Sequence, residues 1–201
     1  METHRKFREP KLLLATMNEA KIRELSHLLT PFGIEPVPAS TLGIPEPDET
    51  GATFQENSLN KAIFYSKQSD MPVLADDSGL CISALDGAPG IFSARWAGPE
   101  NDYGKACARI QRELEGKEDR SARFECALTL AWPDGHTEGF TGTVKGTIVD
   151  SAVGTNGFAY DPIFIPEGYN KTFAQMGDNE KCIISHRAMA LESLIKNCLT
   201  E

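Results

Sequence analysis

Apolar and polar positions follow two periods along this chain, and the switches between them divide it into elements. Lys11–Thr16 (KLLLAT) is a short, continuous apolar run, as in a buried strand. NEAKIRELSHLL then sets Ile22, Leu25, Leu28 and Leu29 on one helical stripe, with Asn18 as N-cap and Pro31 and Gly33 as the stop. Residues 36–47 hold four prolines and predict extended chain without a helix. Thr53-Phe54-Gln55-Glu56 has capping-box spacing, and Phe54, Leu59, Ala62 and Ile63 give an apolar face to a helix ending near Gln68.

MPVLA (71–75) predicts another buried strand, closed by Asp76-Asp77-Ser78-Gly79. Leu80, Ile82 and Ala84 alternate, so a strand pattern resumes before the GAPG turn at 87–90. Asp102–Gly116 is an amphipathic helix with Tyr103, Ala106, Ile110 and Leu114 in register. From Ala122 to Trp132 the period falls to two, with Phe124, Cys126, Leu128 and Leu130 on one face. Pro133-Asp134-Gly135 makes a hairpin turn, and Glu138–Val149 supplies return strands interrupted by glycines. EKCIISHRAMALESLIKNCL reads as one final helix, Ile184, Ala188, Leu191 and Ile195 inward. This order predicts an α/β fold: a mixed central β-sheet flanked by helices, in two lobes with a cleft between them.

Composition changes this picture in a few places. The chain of 201 residues, 40% apolar, is long enough for a sizeable core. It has no run of about 18 apolar residues, which argues against a membrane span. A net charge of −9 argues against nucleic acid as partner, yet leaves room for a phosphate-bearing small molecule beside a metal ion and placed lysines. The five cysteines are odd in number and lack a CxxC pair, which points to a reducing cytoplasm and away from zinc or a disulfide framework. Residues 1–10 are basic, with too little apolar sequence for a secretory signal, and are expected to be a disordered tail on a single domain of residues 11–201.

Candidate chemistry clusters at element ends. Ala15–Lys21 hands a strand to a helix, where Thr16, Asn18, Lys21 and backbone N–H groups can meet an anion, or simply cap a helix. Asp76 and Asp77 stand at a strand end, where carboxylates suit Mg²⁺ or an Asp-rich turn. Glu49 precedes a helix N-terminus, which dipole complementarity alone explains, and Lys61 follows on that helix. Lys181, His186 and Arg187 gather basic groups that could bind phosphate or read a base edge. His4, His27 and His136 lack such company and read as surface residues. The stretch GTNGFAYDPIFIPEGYN (154–170) is rich in glycine and aromatics, with Asp161 at its centre.

Taken in order, ATMNEAK, ETGATFQEN, Lys61, LADDSGL, GAPGIFSARWAG, GTNGFAYDP and EKCIISHRAMAL resemble the inosine triphosphate pyrophosphatase family, the bacterial RdgB-type dITP/XTP pyrophosphatases. The resemblance spans about residues 12–199. It implies a two-lobed, ITPase/Maf-like fold with a deep cleft, a homodimer, and Mg²⁺-dependent hydrolysis of inosine, deoxyinosine and xanthosine triphosphates to the monophosphate and pyrophosphate. Position by position it implies Thr16, Asn18 and Lys21 for phosphate, Glu49 and Asp77 for metal, and Asp77 as proton acceptor. Lys61 and Ser78 become substrate contacts; Phe158, Tyr160 and Asp161 fall in a substrate-binding block; Lys181, His186 and Arg187 match the base-recognition group. Asp76 stays open between second ligand and orienting neighbour. The family has glycine where this chain has Met17 and Ala159, and a side chain there resists left-handed backbone and close approach to phosphate. The competing readings are a Maf-like pyrophosphatase for pyrimidine or modified nucleotides and a nucleotide-binding module without turnover.

Overall fold

The computed structural model describes residues 4–200. Six strands, β1 (Lys11–Ala15), β2 (Glu35–Pro38), β3 (Val73–Ile82), β4 (Ser121–Ala131), β5 (Thr137–Ile148) and β6 (Phe164–Pro166), form one sheet in the order β2-β1-β3-β4-β5-β6. β1 pairs in parallel with β2 and β3, whereas β5 and β6 are antiparallel, so the sheet is mixed as expected. The helices are α1 (Glu19–Leu29), α2 (Phe54–Ser69), α3 (Ser93–Ala97), α4 (Tyr103–Glu113), α5 (Asp178–Ile184) and α6 (His186–Leu194). Among the described residues no helix is long and apolar enough to cross a membrane.

The chain divides into two compact units. The first takes the residues up to Asp77, Cys126–Gly142 and those from Arg187 onward; the second takes Ser78–Glu125 and Thr143–His186. In the first unit, β1 is buried on both faces, which is why KLLLA reads as a continuous run rather than an alternation. Leu12 and Leu14 pack with Leu74, the α1 residues Ile22, Leu25 and Leu29, and the α6 residues Leu191 and Leu194. Leu13 and Ala15 join Val73 and Ala75 against Ala62 and Tyr65 of α2. Each leucine so enclosed contributes about 1.5–3 kcal/mol of burial. The second unit closes over Leu80, Ile82, Ile110, Phe124, Ile148, Phe164 and Phe173.

Several expectations are revised. Residues 4–10 are not a disordered tail: Phe7 is buried, its N–H donates to the Cys198 carbonyl at 2.9 Å, and its ring lies against Trp132. His4 and His136 are not solitary, since each bonds an oxygen of Glu138 at 2.7 Å. Residues 1–3 and 201 of the expected segments lie outside the described residues. Residues 36–47 contain the end of β2 and a 3₁₀ turn at Ala39–Leu42. Glycines do not interrupt β5, which is one strand. The last helix breaks at Ser185, whose backbone is extended (φ −70°, ψ 154°). Ile184 therefore packs in the second core and Leu191 in the first, although one helical stripe joined them in sequence.

Candidate active site

β3 does not stop at Ala75 but runs through Asp76-Asp77-Ser78-Gly79 without a turn. Successive side chains of a strand point to opposite faces, so two adjacent aspartates enter different surroundings. Asp76 joins the face shared with α1 and α6. There Lys21 bonds its Oδ1, while Arg187 Nε donates to Oδ2 at 2.9 Å and Cys126 Sγ to the same oxygen at 3.1 Å. Burial by itself would raise this carboxyl, but the Arg187 and Lys21 charges outweigh it and hold Asp76 well below the ordinary carboxylate range.

Asp77 meets the α2 face. Burial, and then the Glu49 carboxylate nearby, push it up to about 6, against the opposing pull of Lys21, an Asn57 hydrogen bond and Lys61. Chemically identical neighbours thus become a fixed anion and a carboxyl that exchanges protons near neutrality.

The elements around Asp77 explain why α2 carries so much polarity. Its inward residues are Phe54, Asn57, Ser58, Lys61, Ala62, Tyr65 and Ser66, while Leu59 and Ile63, expected inward, are only partly buried. Asn57 Nδ2 donates to Asp77 Oδ2 at 3.0 Å, and its Oδ1 accepts the Gly51 N–H at 2.7 Å. One amide thereby ties the loop carrying Glu49 to the strand carrying Asp77. Position 51 must be glycine, because an added Cβ would lie 2.6 Å from Asn57 Oδ1 and 2.9 Å from Asn57 N. Lys61 Nζ sits 2.5 Å from Glu49 Oε1 and 3.7 Å from Glu46. Burial lowers the Lys61 ammonium, but Glu49, Asp77 and Glu46 outweigh that and raise it, so it stays charged although 5% exposed. The capping box is half formed: Thr53 accepts the Glu56 N–H, but the Glu56 carboxylate turns to Ala52.

At the start of α1, Asn18 Oδ1 caps the helix by accepting from the N–H groups of Ala20 (2.9 Å) and Lys21 (3.2 Å), and Thr16 Oγ1 accepts the Asn18 N–H. Met17 is exposed and does not take a left-handed φ, so the methionine costs no backbone strain there. Position 159 differs: Ala159 has φ +56°, a conformation that favours glycine.

The second unit gathers the other candidates. Phe158 is half-buried; its N–H donates to Asp161 Oδ2 at 2.7 Å, and Lys181 Nζ reaches the same oxygen at 2.5 Å while lying 4.5 Å from the Phe158 ring centroid. Gly157 (φ +72°) passes so close that a Cβ would fall 2.1 Å from Asp161 Oδ2. Asp161 therefore pins the loop onto Lys181. Tyr160 offers no face to a ligand: it is 1% exposed, its hydroxyl donates to the Ser93 carbonyl at 2.7 Å, and its ring meets Tyr103 edge-on. His186 is buried and stacked on Phe124 at 4.9 Å. Ser78 is half-buried in β3.

The chain passes from the first unit to the second between Asp77 and Ser78 and returns between His186 and Arg187. Arg187 is consequently not grouped with Lys181. Its side chain is 1% exposed, with Nε on Asp76 and Nη1 on Glu24 Oε2 at 2.6 Å. Sequence reasoning missed Asn57 and Glu24. Polar residues at helical spacing on an inward face were the available signal, hidden because Leu59 and Ile63 suggested another face.

Glu49 and Asp77 are a like-charged pair close enough for one to raise the other. Among the described residues no three His, Cys, Asp or Glu side chains gather as a metal cage. That donor set fits Mg²⁺, which is held through one or two carboxylates together with waters and substrate phosphates.

The sequence matches the Ham1 family over residues 12–197. A protein of Rhodospirillum centenum named dITP/XTP pyrophosphatase is 49% identical, over 98% of this chain and 99% of its own. Its namesake from Zymomonas mobilis is 46% identical, over 98% and 96%. The solved structure of a HAM1 protein from Coxiella burnetii superposes with a TM-score of 0.87 at 38% identity, covering 94% of this chain and 98% of that one.

Proposed function

This chain belongs to the Ham1 family, and on that premise we propose that it hydrolyses inosine, deoxyinosine and xanthosine triphosphates to the monophosphate and pyrophosphate. The observation that carries the reading is the arrangement at Asp77, which Asn57 holds beside the Glu49 loop and the buried Lys61, while Asp76 is locked by Lys21 and Arg187.

In the proposed reaction a water oxygen attacks the α-phosphorus, its proton passes to Asp77 Oδ, and the bond to the β-phosphate oxygen breaks to release pyrophosphate. Glu49 and Asp77 would hold Mg²⁺. Bound there, the ion supplies positive charge for phosphate oxygens and acidifies a bound water. Lys21, in the first turn of the Asn18-capped helix, and Lys61, fixed by Glu49, oppose the charge growing on the leaving group. Thr16 and Asn18 shape the loop that meets the phosphates, and Ser78 follows Asp77 as a substrate contact.

Hypoxanthine and xanthine carry a 6-oxo acceptor, where adenine carries an NH₂ donor. Lys181, fixed by Asp161 beside the stacking face of Phe158, and His186 are the donors assigned to that oxygen. Donor facing donor in a buried site rejects adenine by about 10⁴-fold. Arg187, bound to Asp76 and Glu24, is left out of base reading in this arrangement.

The test is a nucleotide panel with Mg²⁺, scoring pyrophosphate against orthophosphate. Pyrophosphate release from inosine and xanthosine triphosphates above both ATP and GTP supports the reading. Inactivity on all of them, orthophosphate as product, or preference for uridine or thymidine triphosphate overturns it. The proposal includes a homodimer, which a native mass equal to one chain would refute. It also places the enzyme in the cytoplasm, in keeping with five cysteines that form no disulfide; recovery from a cell's periplasmic fraction would contradict that.

A further inference from the structure

Four charged side chains of the first unit form one connected chain: Glu24 Oε2 to Arg187 Nη1, Arg187 Nε to Asp76 Oδ2, and Asp76 Oδ1 to Lys21 Nζ. Signs alternate along it and sum to zero. Side-chain exposure is 8% at Glu24, 1% at Arg187 and 0% at Asp76, then rises to 16% at Lys21. The chain is therefore sealed at three members and opens at one, and the open member is the ammonium nearest the α1 N-terminus.

Both Asp76 oxygens are already engaged by protein donors. Oδ1 is taken by Lys21, and Oδ2 by both Arg187 and Cys126. Strand alternation also turns it away from the face on which Asn57 and Glu49 surround Asp77. The guanidinium is a rigid fork, so holding Nε on Asp76 and Nη1 on Glu24 fixes the position of Asp76 Oδ2. A lysine has a flexible four-carbon stem and loses rotamer freedom when it must hold one position for a phosphate. A buried carboxylate locked from behind removes that freedom before substrate arrives.

We propose that Asp76 is a positioning residue that presents the Lys21 ammonium to the substrate phosphates through the buried chain Glu24–Arg187–Asp76–Lys21, and that it does not hold metal. The inference rests on the phosphate-binding role given to Lys21 above.

A double-mutant cycle tests it, with Asp76→Asn, Lys21→Ala and the double variant assayed for inosine triphosphate hydrolysis and for the Mg²⁺ concentration giving half-maximal rate. Each single change is expected to lower kcat/KM by about 10–100-fold, and the double to lower it no further than Lys21→Ala alone. The Asp76→Asn loss should divide between kcat and KM as the Lys21→Ala loss does, with Mg²⁺ half-saturation moved less than threefold. Additive losses, or a Mg²⁺ shift as large as that of Asp77→Asn, overturn the proposal. Should Asp76→Asn fail to fold, Glu24→Gln takes its place and must likewise lose its effect when Lys21 is alanine; an effect that persists refutes the chain. Failure of the wild-type protein to hydrolyse inosine triphosphate would instead remove the functional reading itself.

Discussion

Asp77→Asn should inactivate the protein and stabilise it in the same stroke. The folded chain raises this carboxyl from 3.8 to about 6, through burial first and the Glu49 charge second. At about 1.36 kcal/mol per pKa unit, that rise corresponds to about 3 kcal/mol. Its sign follows from proton uptake. Below pH about 4 the carboxyl is protonated in folded and unfolded chains alike, and it costs nothing. Between pH 4 and 6 the unfolded chain loses the proton while the folded chain keeps it, and above pH 6 the folded chain must carry a buried charge beside Glu49. The wild type thus forfeits stability as pH rises through that window, and asparagine, which cannot ionise, does not. Urea unfolding in EDTA at pH 4, 5, 6 and 8 measures the difference. The variant should match wild type at pH 4 and exceed it by about 2–3 kcal/mol at pH 8, or about 4–12 °C in Tm for a chain of this size. Its kcat should fall by about 10²–10⁴-fold through loss of the proton acceptor. A stability difference that is flat across pH, or a variant less stable at pH 8, would refute the electrostatic account of Asp77.

Two further changes probe the loops. Ala159→Gly relieves a left-handed backbone worth about 1–2 kcal/mol against a glycine entropy cost of about 0.5–1 kcal/mol, so thermal unfolding should shift upward by up to about 6 °C. A lower Tm would show that φ at 159 is not strained. Gly51→Ala drives a Cβ into Asn57 and displaces the Glu49 loop from Asp77, with an expected loss in kcat/KM of about 10²-fold. Activity within twofold of wild type would mean that the clamp through Asn57 does not set the distance between the two acids.

Local rules were sufficient where burial and periodicity agree. β1, the Asn18 cap of α1, α4 and the alternating β4 all follow from their own residues. The places where they failed have separate causes. Asp76-Asp77-Ser78-Gly79 has turn composition, but Arg187, 111 residues away, supplies a charge that allows Asp76 inside a strand. Ser185 has no breaker beside it, yet its extended backbone ends the helix two residues before Arg187, where the first unit resumes. Tyr160 belongs to a block of substrate-binding composition, yet the Ser93 carbonyl draws its hydroxyl into the core. The acids and lysines of the site were legible as residue types. Which carboxylate stands beside which cation was not, because those pairings join positions 12 to 163 residues apart.

The same long pairings order events during synthesis. The first unit draws on three separate stretches of chain, and the last begins at Arg187. At about 5–20 residues per second, Asp76 leaves the ribosome roughly 6–22 s before the guanidinium that neutralises it, and Glu24 waits longer still. During that interval Asp76 has Lys21 but not Arg187 of its two basic partners. The full set of charge partners of the first unit is thus assembled only when translation is almost complete.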